Sequence, residues 1–227
     1  MILHVPQVLT REQVRMCRSL LQSAAWVDGR VTAGGQSGLA KRNLQLAEDS
    51  PQAAQLGEMV LGALASHPIF MSAALPLKVY PPLFNRYGVG MAFGDHIDNA
   101  IRTSPLTGAR YRTDLSATLF LSGPDEYEGG ELVIDDGPEP RRIKLAAGDM
   151  VLYPATTVHR VEPVRSGERW ASFFWVESMV GDEVQRALLY RLDRAIASVR
   201  GDVGDTHPGA IALTGAYHNL VRMWADL

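Results

Sequence analysis

A histidine and an aspartate lie two residues apart in a glycine-rich, otherwise apolar segment, YGVGMAFGDHIDNAIR (residues 87–102). In an extended chain alternate side chains point to the same face, so His96 and Asp98 would lie side by side. A neutral imidazole and a carboxylate can both bind a divalent metal if a third ligand comes from elsewhere in the chain. The alternative is a structural His–Asp hydrogen bond at a strand end, and the pair alone does not decide between them.

A candidate third ligand is His159, near the start of the β-type segment VHRVEPV. Of the six histidines in the chain, the four others besides His96 and His159 lie outside the predicted β core. Two ligands close in sequence and a third from a distant strand can form a 2-His-1-carboxylate triad, which leaves positions of an iron ion open. A structural role for His159 remains the alternative.

Arg169 begins the apolar segment RWASFFWV shortly after His159. A guanidinium in such a strand must find an anion or reach solvent, because an unpaired buried charge is costly. Its planar fork fits a carboxylate through two hydrogen bonds. The segment therefore indicates either a carboxylate-binding arginine or an edge residue that points to water.

Helices and short strands must position these side chains. Capping signals at Thr10 and Ser50, each followed by helical periodicity, predict two N-terminal helices. Short β-type segments separated by turns such as GPDEYEGG and AAGD then predict a sandwich or barrel. The predicted helices are 10–25, 50–66, 182–199 and 208–224, and the predicted strands are 78–80, 83–87, 115–121, 131–134, 141–145, 149–153, 158–164 and 169–177.

The sequence as a whole predicts three parts. They are an N-terminal helical region (1–74) that packs on the core, the β core itself (75–178), and a small C-terminal helical appendix (179–227). Within the first part, residues 26–45 are rich in glycine and polar residues, which predicts a long loop that could act as a lid.

The C-terminal helices carry more apolar positions than a helical pair can bury by itself. They include Leu188, Ile211 and Leu213. These side chains should dock on the same chain, which we take as the default, or on a second subunit, which would make the protein a homodimer.

At this order and spacing, His96-x-Asp98, His159 and Arg169 resemble the iron(II)- and 2-oxoglutarate-dependent dioxygenases. The chain is most similar to the prolyl/lysyl hydroxylase branch and, within it, to the bacterial PKHD-type hydroxylases linked to iron uptake. The resemblance covers nearly the whole chain, including FNRYGVGMAFGDHIDNAIR, LSATLFLSGPDEYEGGELVI and GDMVLYPATTVHRVEPVRSGERWASFFWVES. It implies an α+β fold with a double-stranded β-helix (jelly-roll) core, Fe(II) and 2-oxoglutarate as cofactors, and L-ascorbate as a candidate reductant.

The resemblance also assigns roles to individual residues. His96, Asp98 and His159 resemble the iron ligands, and Arg169 resembles the residue that pairs with the distal carboxylate of 2-oxoglutarate. Relatives that halogenate have a small residue in place of the aspartate, so the carboxylate implies hydroxylation or a related oxidation. The residues expected to line the cosubstrate pocket are Tyr87, Thr118 and Trp175.

One departure from the family pattern concerns the second contact to 2-oxoglutarate. Phe120 stands where many relatives have a tyrosine, which leaves Ser116 and Thr118 as the hydroxyls on that strand face. The polar residues that flank the metal motif could face the substrate, which would be a small molecule or a protein side chain. They are Asn99, Arg102, Arg110 and Arg112.

Composition limits the partners. The net charge of −3 and the absence of a long basic tract argue against nucleic acid, and no apolar run is long enough to span a membrane. The N-terminal residues lack the features of a secretory leader, so a cytoplasmic protein is expected. The single cysteine, Cys17, excludes a disulfide framework and has the helical spacing of a core residue.

Two other classes of function remain open. A non-catalytic jelly-roll module could hold a metal for a structural or sensory purpose. A zinc hydrolase would need a general base beside the metal, and the motif offers only Asp95, which should point to the opposite face from His96.

Overall fold

A computed structural model describes residues 1–32 and 35–227. Its helices are α1 (Arg11–Gln22), α2 (Gly35–Ala40), α3 (Pro51–Ala65), α4 (Pro68–Ala74), α5 (Glu183–Val203) and α6 (Pro208–Trp224). Its strands are β1 (Leu3–Val5), β2 (Trp26–Asp28), β3 (Lys41–Arg42), β4 (Leu44–Leu46), β5 (Pro76–Val79), β6 (Leu83–Tyr87), β7 (Ala92–His96), β8 (Ile101–Thr103), β9 (Arg110–Arg112), β10 (Leu115–Phe120), β11 (Tyr127–Gly129), β12 (Leu132–Asp135), β13 (Arg141–Ile143), β14 (Met150–Pro154), β15 (Val158–Val161), β16 (Val164–Gly167) and β17 (Arg169–Ser178).

Two antiparallel sheets form the centre of the fold. The major sheet has eight strands in the order β1-β14-β10-β17-β6-β4-β2, with β5 also paired to β17. The minor sheet has five strands in the order β13-β12-β15-β7-β3. Because few neighbours in space are neighbours in sequence, the chain passes repeatedly between the two sheets. This is the predicted jelly roll, with helices added at both ends of the chain.

The two faces of the major sheet differ in composition because side chains alternate along each strand. Ala117, Leu119 and Phe174 belong to the outer face, where they join one buried apolar cluster with Cys17 of α1 and Val60 of α3. The N-terminal helices therefore cover this face. The inner face is left to line the space between the sheets.

The start of each N-terminal helix follows from local chemistry. The Thr10 hydroxyl accepts a hydrogen bond from the Gln13 backbone N–H, and the Gln13 side chain accepts one from the Thr10 N–H, which completes the expected capping box. Ser50 caps α3 in the same manner, and Pro51 occupies the first turn, where a missing N–H costs nothing.

The loop predicted for residues 26–45 is wrong for the described part of that segment. β2, a 3-10 helix (Gly29–Thr32), α2, β3 and β4 lie there, and β4 joins the major sheet while β3 joins the minor one. The prediction failed because Lys41, Asn43 and Gln45 are buried at strand period, and polar residues at that spacing were taken for a loop. Residues 33–34 of the predicted lid lie outside the described residues.

Several short elements were also missed by sequence reasoning. They are α4 and the strands β1, β7, β8, β9 and β11, and the predicted strand 158–164 is two strands, β15 and β16. Each missed strand is five residues or shorter, so too few side chains repeat to give a period-two pattern.

The C-terminal helices dock on the same chain. Leu189 of α5 and Trp224 of α6 pack in a cluster with Leu75 and Val180 of the β core. Arg186 is buried and donates from Nη1 to the carbonyl oxygens of Val180 (2.7 Å) and Gly181 (3.2 Å), which ties α5 to the end of β17.

Part of the expected burial is absent from this chain. Leu188, Ile211 and Leu213 are 44%, 59% and 39% exposed, so docking on the same chain covers one side of the helical pair and leaves these positions in solvent. Docking on the same chain, the default expectation, therefore does not account for these three positions, because the helices touch the core along one stripe only.

Deleting residues 182–227 should cause aggregation, because it would uncover the buried side chains of Leu75 and Val180. The soluble fraction and the elution volume in size-exclusion chromatography would measure this. The full-length chain with Val203→Ser, a change at an exposed helical position, is the control and should remain soluble. A soluble, monomeric fragment with a cooperative thermal transition would contradict the integral packing described here.

Candidate metal centre and cosubstrate pocket

Two histidines face each other across the minor sheet. His96 of β7 and His159 of β15 are direct partners in the antiparallel pairing, and the centroids of their rings lie 4.1 Å apart. In an antiparallel pair, the side chains of directly opposed residues lie closer together than those of diagonal neighbours. The strand pairing thus brings together two residues that are distant in sequence.

Backbone carbonyls orient both rings. The Nδ1 atom of His96 lies 2.8 Å from the Gly94 carbonyl oxygen, and Nδ1 of His159 lies 3.0 Å from that of Thr157. A carbonyl only accepts, so each Nδ1 carries the proton and each Nε2 keeps a free lone pair. Burial and then the neighbouring His159 lower the pKa of His96, which keeps its ring neutral and able to bind a metal.

Asp98 completes the cluster from just beyond the end of β7. Its Oδ2 atom accepts a hydrogen bond from the Ser116 hydroxyl at 2.6 Å and lies 3.6 Å from Nε2 of His159. One ligand atom from each of His96, Asp98 and His159 lies within 4.8 Å of the other two. The donor set of two neutral imidazoles and a carboxylate fits a divalent iron ion.

Asp95 does not belong to this cluster. Its side chain is exposed and bonds to Arg160 at 3.2 Å on the outside of the minor sheet. Among the described residues of the motif, no second carboxylate therefore stands beside the three ligand atoms as a general base for a hydrolase.

A cavity lies between the two sheets and opens to solvent. The three candidate ligands line it together with Arg169 and Trp175. The remaining predicted site residues, Tyr87, Thr118, Asn99 and Arg102, line the same cavity. The structure thus brings these nine residues to one cavity, whereas the other two candidates, Arg110 and Arg112, are not among the residues that line it.

Arg169 lies fully buried on the inner face of the major sheet. Its guanidinium lies 5.4 Å from the ring centre of Tyr87, its partner in the register of β6, and 5.3 Å from that of Phe120. Its Nε and Nη2 atoms are buried and have no hydrogen-bond partner among the described residues. A buried cation in this state needs an anion, and its position leaves the cavity as the source.

Hydroxyl groups surround this guanidinium. Burial raises the pKa of Tyr87 to about 12 against the lowering effect of Arg169, so the phenol is neutral and can donate or accept. Burial also raises the pKa of Tyr127, again opposed by the charge of Arg169. Thr118, which pairs with Phe173 across β17, offers a third hydroxyl on the same face.

Sequence reasoning missed Tyr153. It lies buried on β14, and its ring meets that of His159 edge to face at 5.1 Å. Burial and the charge of Asp98 raise its pKa, while a hydrogen bond with Thr118 and the charge of Arg169 lower it. Tyr153 therefore adds a hydroxyl to the cavity that the candidate metal ligands and Arg169 line, where Phe120 supplies none. In the sequence it is one aromatic residue in an apolar strand and gives no separate signal.

Trp175 and Arg102 line the cavity at a distance from Arg169 along the same face of the major sheet. The Arg102 guanidinium lies 4.0 Å from the centre of the Trp175 ring. Asn99 is exposed at the rim. Arg112 does not face the cavity and instead forms two bonds to Asp114, at 2.7 and 3.0 Å, which excludes it as a substrate contact.

Lys41 is the second residue that sequence reasoning missed. It is 4% exposed, and its Nζ atom lies over the rings of Phe93 (5.2 Å) and Phe173 (5.5 Å) on the cavity wall. Burial and then the charge of Arg102 lower its pKa to about 8. The signal was the alternation of the buried polar residues Lys41, Asn43 and Gln45 along the extended segment that contains β3 and β4.

Comparison with known families agrees with this geometry. Residues 82–177, which contain all three candidate ligands, match the 2OG-Fe(II) oxygenase superfamily. Residues 183–226 match the PKHD-type hydroxylase C-terminal domain. The first match extends from β6 to β17, and the second contains α5 and α6.

Solved structures share the fold at low sequence identity. A prolyl hydroxylase from Trichoplax adhaerens, in complex with a hypoxia inducible factor peptide fragment, is 14% identical, with a TM-score of 0.53 over 82% of this chain and 86% of the other. The epimerase SnoN, in complex with Fe3+, alpha ketoglutarate and nogalamycin RO, is 20% identical, with a TM-score of 0.53 over 79% of each chain. These likenesses confirm the jelly-roll fold.

Curated relatives are similar over their whole length. PKHD-type hydroxylases of Methylobacterium nodulans and Gluconobacter oxydans are 55% and 57% identical to this chain over 227 residues, which is all of both chains in each case. One of Saccharophagus degradans is 58% identical over 226 residues. The chain belongs to the PKHD-type hydroxylase family of iron(II)- and 2-oxoglutarate-dependent oxygenases.

Proposed function

We propose that His96, Asp98 and His159 bind one Fe(II) ion in this dioxygenase and that Arg169 binds the distal carboxylate of 2-oxoglutarate. The enzyme couples conversion of 2-oxoglutarate to succinate with oxidation of a second substrate, as its family membership implies. The assignment of each role to a residue is the part proposed here.

The observation that carries the proposal is the unpartnered guanidinium of Arg169. A fully buried arginine with two unsatisfied nitrogens costs several kcal/mol unless an anion binds. The same cavity holds the three candidate ligands. 2-Oxoglutarate has a carboxylate at one end and a metal-chelating keto acid at the other, so one molecule can satisfy both.

When bound, Fe(II) and 2-oxoglutarate supply the oxidation: O2 and 2-oxoglutarate give succinate and CO2, and one oxygen atom is transferred to the substrate. Ser116 holds the Asp98 carboxylate in one orientation through its hydrogen bond. The carbonyls of Gly94 and Thr157 fix both imidazoles in the tautomer that binds metal. These contacts give the chain a preformed set of ligands.

Tyr153 and Thr118 would provide the second contact to the distal carboxylate. Both side chains line the cavity that also contains Arg169. The family position held by Phe120 cannot make this contact, because a phenyl ring has no donor. The Tyr153 hydroxyl on the neighbouring strand β14 would thus take the place of the tyrosine hydroxyl that many relatives have at the position of Phe120 on β10.

The oxygenase family acts on small-molecule or peptide substrates, as the Trichoplax complex with a peptide and the SnoN complex with nogalamycin RO illustrate. We infer that the substrate of this enzyme is a small molecule or a protein side chain and that nucleic acid is not a partner. We also infer a cytoplasmic enzyme that is linked to iron uptake and uses L-ascorbate as a reductant. None of the described helices is long and apolar enough to cross a membrane.

We further infer that the helical appendix supports a homodimer. Leu188 of α5 and Ile211 and Leu213 of α6 remain exposed although they are large and apolar. Exposed apolar groups of this size are typical of a contact with another surface. Light scattering of the purified chain would give its mass directly.

Asp98→Ala should weaken Fe(II) binding by at least about tenfold, because it removes the anionic ligand. Loss of a residue that only hydrogen-bonds to a metal ligand already lowers metal affinity by about tenfold or more. An anaerobic equilibrium titration with Fe(II) would measure the affinity. Asp95→Ala is the matched control, since Asp95 is a nearby carboxylate on the outer face. Parental Fe(II) affinity in the Asp98 variant would remove the ligand assignment.

Arg169→Gln should raise the KM for 2-oxoglutarate by roughly 10- to 100-fold, the effect of losing a charge-assisted pair, and should leave Fe(II) affinity almost unchanged. Succinate formation at varied 2-oxoglutarate measures the KM. Arg110→Gln changes an exposed arginine and should have no effect. If 2-oxoglutarate dependence stays the same in a folded Arg169 variant, the cosubstrate lies elsewhere.

Tyr153→Phe should raise the KM for 2-oxoglutarate by about 2- to 10-fold, because it removes one neutral hydrogen bond and keeps the ring that packs against His159. The thermal midpoint of unfolding should change little. Thr118→Val in the same assay tests the partner hydroxyl. Equal KM values in the parent and both variants would show that neither hydroxyl contacts the cosubstrate.

A further inference from the structure

Lys41 is a buried cation without a carboxylate partner among the described residues. Its Nζ atom donates to the Thr32 hydroxyl at 2.9 Å and to Oε1 of Gln45 at 3.2 Å, both neutral groups. An ammonium has three N–H donors, so one remains for the cavity. Its other neighbours are the faces of Phe93 and Phe173. The charges of Asp98, Asp28 and Glu48 favour the ammonium only from beyond ion-pair distance, and burial outweighs them.

Arg102 is a second cation in the same situation. Its guanidinium lies flat on Trp175 and 5.3 Å from the centre of the Tyr80 ring. Both Nη atoms lie 3.4 Å from one acceptor, the Thr32 carbonyl oxygen, which is long for a charged hydrogen bond. Its Nε atom is buried without a partner. Most of its hydrogen-bonding capacity is therefore unused.

The two cations converge on the same residue although they repel each other. Lys41 contacts the side chain of Thr32 and Arg102 contacts its backbone. The charge of Arg102 is, after burial, the main cause of the lowered pKa of Lys41. Two unpaired cations held side by side in a cavity destabilise the empty protein, and an anion between them would remove that cost.

2-Oxoglutarate bound to Arg169 cannot be that anion. Arg169 and Trp175 lie on the same face of β17, six residues apart, which is about 20 Å along a strand. Arg102 stacks on Trp175, whereas the Arg169 guanidinium lies by Tyr87 and Phe120. The candidate metal ligands line the cavity between these two ends. Lys41 over Phe173 and Arg102 at Trp175 therefore lie beside residues four and six positions along β17 from Arg169.

We propose that Lys41 and Arg102 bind a carboxylate of the primary substrate and hold it across the metal from the 2-oxoglutarate site. The proposal rests on the proposed function and deepens it by naming the substrate class. Arg102 presents a planar fork, and Lys41 adds one donor, so the free donors match an acceptor with two oxygens. The faces of Phe93 and Trp175 give the rest of the substrate an apolar wall.

The carboxylate could belong to a free organic acid or to an acidic side chain of a peptide, because both present the same group. The test uses protein loaded with Zn(II) and 2-oxoglutarate, since zinc has no redox chemistry and prevents turnover. The free-acid probes are acetate, benzoate and hippurate, each with its neutral amide. A capped tripeptide with a central aspartate and its asparagine counterpart form the peptide arm, and inorganic phosphate is the comparison anion. Saturation-transfer NMR measures binding.

At least one acid, free or in the peptide, should bind at least about tenfold more tightly than its amide. Lys41→Gln and Arg102→Gln should each weaken that acid by about tenfold and leave 2-oxoglutarate affinity within about twofold of the parent. The exposed neighbours supply matched controls, Arg42→Gln on the same strand as Lys41 and Arg110→Gln on the strand that pairs with β8. Which arm contains the tighter acid identifies the source of the carboxylate.

The proposal is overturned if no acid binds better than its amide, if phosphate binds more tightly than every carboxylate, or if both variants bind the acid as the parent does. A large loss of 2-oxoglutarate affinity in either variant would also overturn it, because the cations would then serve the cosubstrate. Arg102→Gln provides an independent result if Lys41→Gln fails to fold, since Arg102 is only half-buried. If the parent binds neither Zn(II) nor 2-oxoglutarate, the proposed function itself has failed.

Discussion

The guanidinium of Arg169 lies inside the protein between two aromatic rings, with two of its nitrogens unsatisfied. Folding must remove this charge from water, and no carboxylate of the described residues forms an ion pair with it. The fold tolerates the unfavourable free energy of this buried charge only because the surrounding sheet is rigid and well packed. An anion that enters the cavity pairs with the guanidinium and offsets that free energy. Removal of the unpaired charge therefore contributes to the free energy with which the folded chain binds that anion.

The rest of the architecture keeps this site dry and in place. The outer face of the major sheet is covered by the N-terminal helices, so its inner face can carry polar groups without weakening the core. Cross-strand pairing in the minor sheet sets His96 opposite His159, and the end of the same strand delivers Asp98. The ligands therefore lie on elements whose geometry is fixed by backbone hydrogen bonds, and little reorganisation is needed when metal binds.

Charge divides the cavity into two ends. Arg169 with its ring of hydroxyls lies at one end, and Lys41 with Arg102 lies at the other. A keto acid with a distal carboxylate fits the first end because it must also reach the metal. The second end is free of that constraint, and in our proposal its two cations select a substrate that carries a carboxylate.

The residues with chemical signatures could be predicted from sequence, and those without could not. His96, Asp98 and Arg169 are polar residues in apolar segments, and their spacing matched a family. Tyr153 lies in an apolar strand where any aromatic residue would be unremarkable. Lys41 was hidden because strands of two or three residues carry no periodicity, and its polar neighbours suggested a loop. Which apolar residues of the C-terminal helices stay exposed depends on tertiary contacts that no local pattern encodes.

The central claim is that one cavity holds a metal on the triad and 2-oxoglutarate on Arg169. A crystal structure of the protein with Mn(II) and 2-oxoglutarate, grown without oxygen, tests it most directly. The account predicts Mn(II) bound by Nε2 of His96, Nε2 of His159 and a carboxylate oxygen of Asp98, with the distal carboxylate paired to Arg169. Mn(II) bound by other residues, or a distal carboxylate paired with Lys41 and Arg102, would contradict it.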